Sequence, residues 1–104
     1  MIVSGHLPPG HPESMVDWTA VARLSGTVVI LMGVQNLPVI AEVLRENGRA
    51  GETPVAVVQD GSMPAERTTV GTLDTIATIA EAAGVRAPAI IVIGDVVAQR
   101  QTSL

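Results

Sequence analysis

Residues 27–48 read TVVILMGVQNLPVIAEVLRENG, and this stretch decides the fold. Thr27 to Met32 is a run of β-branched and apolar residues with no charge in it. Such a run predicts a strand buried on both faces, as strands of parallel sheets are. Gly33 ends the run. Asn36 then stands at an N-cap position, with Pro38 tolerated in the first helical turn. Leu37, Ile40, Ala41 and Leu44 recur at i, i+3, i+4 and i+7 and predict one apolar helix face. Glu42, Arg45 and Glu46 take the other face, and Gly48 is a natural C′ stop.

The same alternation extends in both directions. Upstream, Ile2-Val3-Ser4 predicts a short strand ending at Gly5-His6, residues 8–14 (PPGHPES) a proline-rich loop, and Asp17 the cap of a short helix from Trp18 to Arg23. Downstream, Pro54 to Gln59 (PVAVVQ) predicts a second buried strand closed by Asp60-Gly61. Residues 66–72 (ERTTVGT) are polar and β-branched, which suits an exposed, antiparallel edge strand. Thr72 is placed to cap a third helix carrying Leu73, Ile76, Ala80 and Ala83, ended by Gly84. Ala89 to Ile93 (AIIVI) predicts the last buried strand, with Gly94-Asp95 at its mouth, and the tail from Gln99 is polar. Strands alternating with helices predict a layered α/β fold, with a mostly parallel or mixed five-stranded sheet flanked by helices. The 104 residues suit one domain, 1–104.

Composition excludes several functions. The hydrophobic fraction is 47% with 15% charged residues, which argues against disorder. All six cations are Arg against ten acids, a net charge of −4, and there is one Trp with no Phe or Tyr. A nucleic-acid partner is not expected, since such binders carry a basic stripe and stacking aromatics. The absence of cysteine removes disulfides and thiolate zinc sites and fits a reducing, cytoplasmic setting. No apolar run approaches the roughly 18 residues needed to span a bilayer, and MIVSGHLPPG has no basic n-region of a signal peptide.

In open α/β sheets ligands sit beyond the C-terminal ends of strands. Gly5-His6, Met32-Gly33, Asp60-Gly61 and Gly94-Asp95 all occupy such exits, and each carries a glycine that lets a backbone approach a ligand. Glycine also simply turns a chain there. Phosphate-loop, dinucleotide and nucleophile-elbow motifs are absent. His6 and His11 flank a proline-rich loop without a third ligand, so no metal is expected. Ser4, His6 and Asp17 form a nominal triad of a kind that any chain of this size offers. Arg67 suits a bidentate grip on a carboxylate or phosphate, or a surface pair with Glu66 or Asp60. Met32 suits either core filling or contact with a ligand ring, and Trp18 a packing anchor. The residues themselves carry the reading as far as a small α/β domain with a ligand edge.

Several segments resemble the C-terminal half of uroporphyrinogen-III C-methyltransferase, a tetrapyrrole methylase, and the same unit in sirohaem synthase. They are GHLPPG, DWTAVAR, VVILMGVQNLPVIAEVLRENGR, TPVAVVQDGSMPAERTTVGTLDTIATIAE and PAIIVIGDVVAQR, covering about Ser4 to Arg100 in order. The resemblance implies an S-adenosylmethionine-dependent C-methylation of uroporphyrinogen III to precorrin-2, toward sirohaem and cobalamin. It implies cofactor contacts at Met32 and Gly61, with Gly33 and Val58 beside them, and contacts of His6 and Arg67 with the acidic tetrapyrrole. Ser4-Gly5-His6 stands where the family has Thr-Gly-His. The family's N-terminal domain, with its glycine-rich cofactor loop, has no counterpart here. The chain is therefore expected to form one wall of a cleft and to be inactive alone. The family generally forms homodimers, so a homo-oligomer is implied. Two alternatives stand beside this reading: another substrate within the superfamily, such as a later corrin precursor or diphthamide, and a non-catalytic dimerisation or partner-binding module.

Overall fold

Asp17 opens the first helix as its spacing predicts. Its carboxylate accepts the Ala20 amide at 3.1 Å, and α1 runs Trp18–Arg23. In the computed structural model, which describes residues 1–24, 26–59, 67–86, 88–94 and 97, five strands and three α-helices follow the predicted order. The strands are β1 (Ile2–Ser4), β2 (Val28–Leu31), β3 (Pro54–Gln59), β4 (Arg67–Thr72) and β5 (Ala89–Ile93). The helices after α1 are α2 (Leu37–Glu46), entered through a 3₁₀ turn Val34–Asn36, and α3 (Ile76–Ala83).

Helix α2 buries Leu37, Ile40, Ala41 and Leu44, the four residues of the predicted stripe. It closes in a Schellman arrangement: the Arg49 amide bonds the Leu44 carbonyl at 2.9 Å and the Gly48 amide bonds that of Arg45 at 3.2 Å. Gly48 takes a φ of 110°, which side-chain-bearing residues rarely adopt. Arg49 then donates to the carbonyls of Leu24 and Gly26, tying the entry of β2 to the end of α2.

The sheet order is β1-β2-β5-β3-β4. β1 pairs with β2 in parallel, whereas β5 is antiparallel to both β2 and β3, and β4 is antiparallel to β3. The sheet is thus mixed: β1, β2 and β3 share a direction and β4 and β5 oppose it. β4 is the antiparallel edge strand anticipated from its polar composition. The inversion of β5 corrects one expectation. Gly94 lies at the opposite end of the sheet from Gly5 and Met32, where its amide bonds the Pro54 carbonyl at 2.9 Å.

The described helices cover one face only. Val28, Ile30, Val55, Val57, Ile91 and Ile93 point into them and join Trp18, Ile40, Leu44, Leu73 and Ile76 in one core. Trp18 is the packing anchor expected of it. Alternate residues face the other way, so Leu31 and Ile90 remain 39% and 37% exposed. The expectation that β2 and β5 are buried on both faces is corrected accordingly. An apolar run alone does not reveal which layers cover a sheet. The start of α3 is also corrected. Thr72 ends β4, and Thr75 precedes the helix and accepts the Thr72 amide on its hydroxyl at 3.0 Å.

Candidate functional site

The exits of β1, β2 and β3 and the entries of β4 and β5 all lie at one end of the sheet. The paired residues nearest this end form a continuous row: Ser4, Leu31, Ile90, Val58 and Thr68. Adjacent strands are spaced by about 4.8 Å, so Leu31 and Val58 stand about 10 Å apart with Ile90 between them. This makes an uncharged apolar shelf on the face that no described helix covers.

Met32 follows Leu31 and caps the shelf. Its φ is 57°, the one positive value at a non-glycine among the described residues, and its side chain is 61% exposed. A bulky residue in the left-handed region is held there by its surroundings, and such conformations concentrate at functional sites. The surroundings here are two glycines. A Cβ on Gly5 would lie 2.7 Å from the Gly33 Cα and 2.8 Å from the Ile30 Cγ2; one on Gly33 would lie 2.7 Å from the same methyl. The backbones after β1 and β2 therefore touch directly. The Gly5 amide bonds the Leu31 carbonyl at 2.7 Å and extends the ladder by one residue.

Asn36 does not cap α2 with its side chain. Its amide nitrogen instead donates to the Gly5 carbonyl at 2.7 Å and to the His6 carbonyl at 3.2 Å. Both partners are acceptors, which fixes the orientation of the amide group. The sequence signal at Asn36 was genuine, but a long-range pair of carbonyls outcompeted the local cap.

The structure brings Met32, Gly33 and Val58 to the same sheet end. His6 is exposed beyond β1 and Arg67 begins β4. They occupy opposite edges, four strand spacings or about 19 Å apart, so no small ligand bridges them. Gly61, Asp60, Glu66 and Asp95 lie outside the described residues. His11 is a loop residue whose Nδ1 accepts the Glu13 amide at 3.0 Å. Asp17 is occupied at its helix, and the Ser4 hydroxyl accepts the His6 amide at 3.4 Å, so the nominal triad is not assembled. Among the described residues no group of three or more His, Cys, Asp or Glu is placed to hold a metal, and no helix is long and apolar enough to cross a membrane. Leu31 and Ile90 were read from sequence as buried strand residues. The period-two alternation of exposure along each strand is the signal that identifies them as shelf residues.

The fold is thus a mixed five-stranded α/β layer with an exposed apolar shelf at one end of its sheet. The chain belongs to the family described as Tetrapyrrole (Corrin/Porphyrin) Methylases, whose match covers residues 1–77. It is 50% identical over 95 residues to an S-adenosyl-L-methionine-dependent uroporphyrinogen III methyltransferase of Methanosarcina barkeri, covering 91% of this chain and 37% of that protein. It is 40% identical over 99 residues to a siroheme synthase of Thiobacillus denitrificans, covering 95% of this chain and 20% of that protein. Among solved structures, a uroporphyrin-III C-methyl transferase from Thermus thermophilus, complexed with S-adenyl homocysteine, superposes with a TM-score of 0.75 at 35% identity, covering 92% of this chain and 40% of the other. The chain therefore spans well under half the length of these relatives.

Proposed function

We propose that the chain is one domain, residues 1–104, of an S-adenosylmethionine-dependent C-methyltransferase acting on uroporphyrinogen III, and that it supplies one wall of the cofactor and substrate cleft. The observation that carries this reading is Met32, exposed and in a left-handed conformation at the exit of β2, next to the close Gly5–Gly33 contact. The fit to the cofactor is chemical. The shelf of Leu31, Ile90 and Val58 offers apolar surface to a flat ring, and the buried Gly5–Gly33 contact holds the exits of β1 and β2 together beside it. Met32 and Gly33, with Val58 beside them and Gly61 after β3, are the residues assigned to it. When bound, S-adenosylmethionine supplies an electrophilic methyl group on a sulfonium centre.

The chain's own residues bind and orient. Holding two reactants in register is worth several kcal/mol of barrier without any acid or base. His6 and Arg67, at opposite sheet edges, suit a broad polycarboxylate such as a tetrapyrrole. With a net charge of −4, attraction of an acidic substrate is local, to Arg67, rather than global. The further length of the relatives is consistent with a facing N-terminal lobe that completes the cleft, so the isolated chain is inactive in this reading. A homo-oligomer in the cytoplasm, as the resemblance implies, belongs to the same proposal.

The test is a titration of the chain with S-adenosylhomocysteine, followed on backbone amide resonances. Shifts at Gly5, Met32 and Gly33, with none at Gly48 and Gly84 on the far helix ends, are the expected result. Absence of any shift, or turnover of uroporphyrinogen III by the purified chain, refutes the half-site reading.

A further inference from the structure

We infer that Asn36 is the positioning residue of this site, holding the exit of β1 against the turn after β2 so that the Gly5–Gly33 contact and the Met32 turn beside it keep their shape. The inference rests on the cofactor reading above for what binds at that turn, but the clamp itself stands on geometry. Gly5 and His6 lie beyond the last ladder pair, Ser4 with Leu31. One backbone bond, from the Gly5 amide to the Leu31 carbonyl, continues that pairing. The two carbonyls that follow turn toward Asn36, and one side-chain amide satisfies both, at 2.7 and 3.2 Å. Asn36 is itself fixed, because its backbone amide bonds the Gly33 carbonyl at 3.0 Å. A single residue therefore connects Gly5, His6 and Gly33, and the strained Met32 sits between the segments so joined. Neither serine nor leucine reproduces this, since the site requires two donors and no acceptor facing the carbonyls.

Aspartate separates positioning from fold stability. Asn36→Asp keeps the side-chain shape and places an anion at the N-terminus of α2, where the helix favours it. It also turns an acceptor onto two carbonyl oxygens. In the full 104-residue chain, Asn36→Asp is expected to melt no lower than Asn36→Ala. In both variants hydrogen exchange at the Gly5 amide is expected to rise about tenfold, the effect of losing one or two net hydrogen bonds, while Val57 and Ile91 stay protected. S-adenosylhomocysteine binding, read at the Met32 and Gly33 amides, is expected to weaken in both. Unchanged exchange at Gly5 overturns the inference. So does unchanged ligand affinity when exchange has risen, and so does loss of the whole fold in both variants. If the unmodified chain shows no binding while Gly5 exchange responds as stated, the cofactor reading fails and the clamp stands.

Discussion

Replacing Gly5 by alanine tests whether the two strand exits really touch. The added methyl would stand 2.7 Å from a main-chain atom, the Gly33 Cα, 2.8 Å from the Ile30 Cγ2 and 3.2 Å from the Ile40 Cδ1. Ile30 and Ile40 are both 0% exposed, so neither has space to retreat. A main-chain atom cannot rotate away, and the methyl of a β-branched side chain is nearly as fixed. Overpacking of this kind costs about 1–3 kcal/mol, and two contacts this close favour the upper half. A domain of this size loses about 4–8 °C of Tm per kcal/mol, so a fall of about 8–24 °C is expected in a thermal melt. Gly26→Ala is the matched control, because its Cβ meets nothing within 4 Å and its φ is not positive. It should be neutral or stabilising by a few tenths of a kcal/mol, up to about 1. If Gly5→Ala melts within a degree or two of the control, the close approach is refuted, and with it the reason for Met32 being held in its conformation.

Three other outcomes follow from the same coordinates. Met32→Gly removes the left-handed strain at φ 57° and should leave stability unchanged or raise it by up to about 1 kcal/mol, while abolishing S-adenosylhomocysteine binding; urea melts and calorimetry read the two effects separately. Ile40→Ala empties a fully buried position packed against Gly5 and Gly33 and should cost about 2–5 kcal/mol in the same urea melts. Asp74→Ala breaks the exposed Arg45–Asp74 pair at 3.1 Å, and the loss should stay below about 1 kcal/mol and shrink in high salt.

Local chemistry made most of the architecture legible. Asp17, the stripe from Leu37 to Leu44, and the stops at Gly48 and Gly84 act within a few residues of one another, so sequence spacing contains the whole interaction. What escaped is long-range. Asn36 and Thr72 both have the composition of caps; the first finds carbonyls thirty or so residues away, and the second is claimed by the β3–β4 ladder. The direction of β5 depends on where its connections cross, and AIIVI reads alike in either direction. Met32 and Gly33 were singled out by position at a strand exit, but the contact between Gly5 and Gly33 is invisible in sequence because glycine's usual reading is a turn. Leu31 and Ile90 were missed since their apolar side chains suit a core as well as a shelf.

The position of β5 has a consequence for how the polypeptide assembles during synthesis. The last of the described strands in chain order is the one that joins the two halves of the sheet, pairing with β2 on one side and β3 on the other. Until Ala89–Ile93 emerges, β1-β2 and β3-β4 remain separate ribbons, each with an inner edge of free backbone donors and acceptors. Two-stranded ribbons are marginal in water. Stepwise folding of this domain therefore gains little before β5, and nascent chains stalled before residue 89 should be prey for proteases and aggregation.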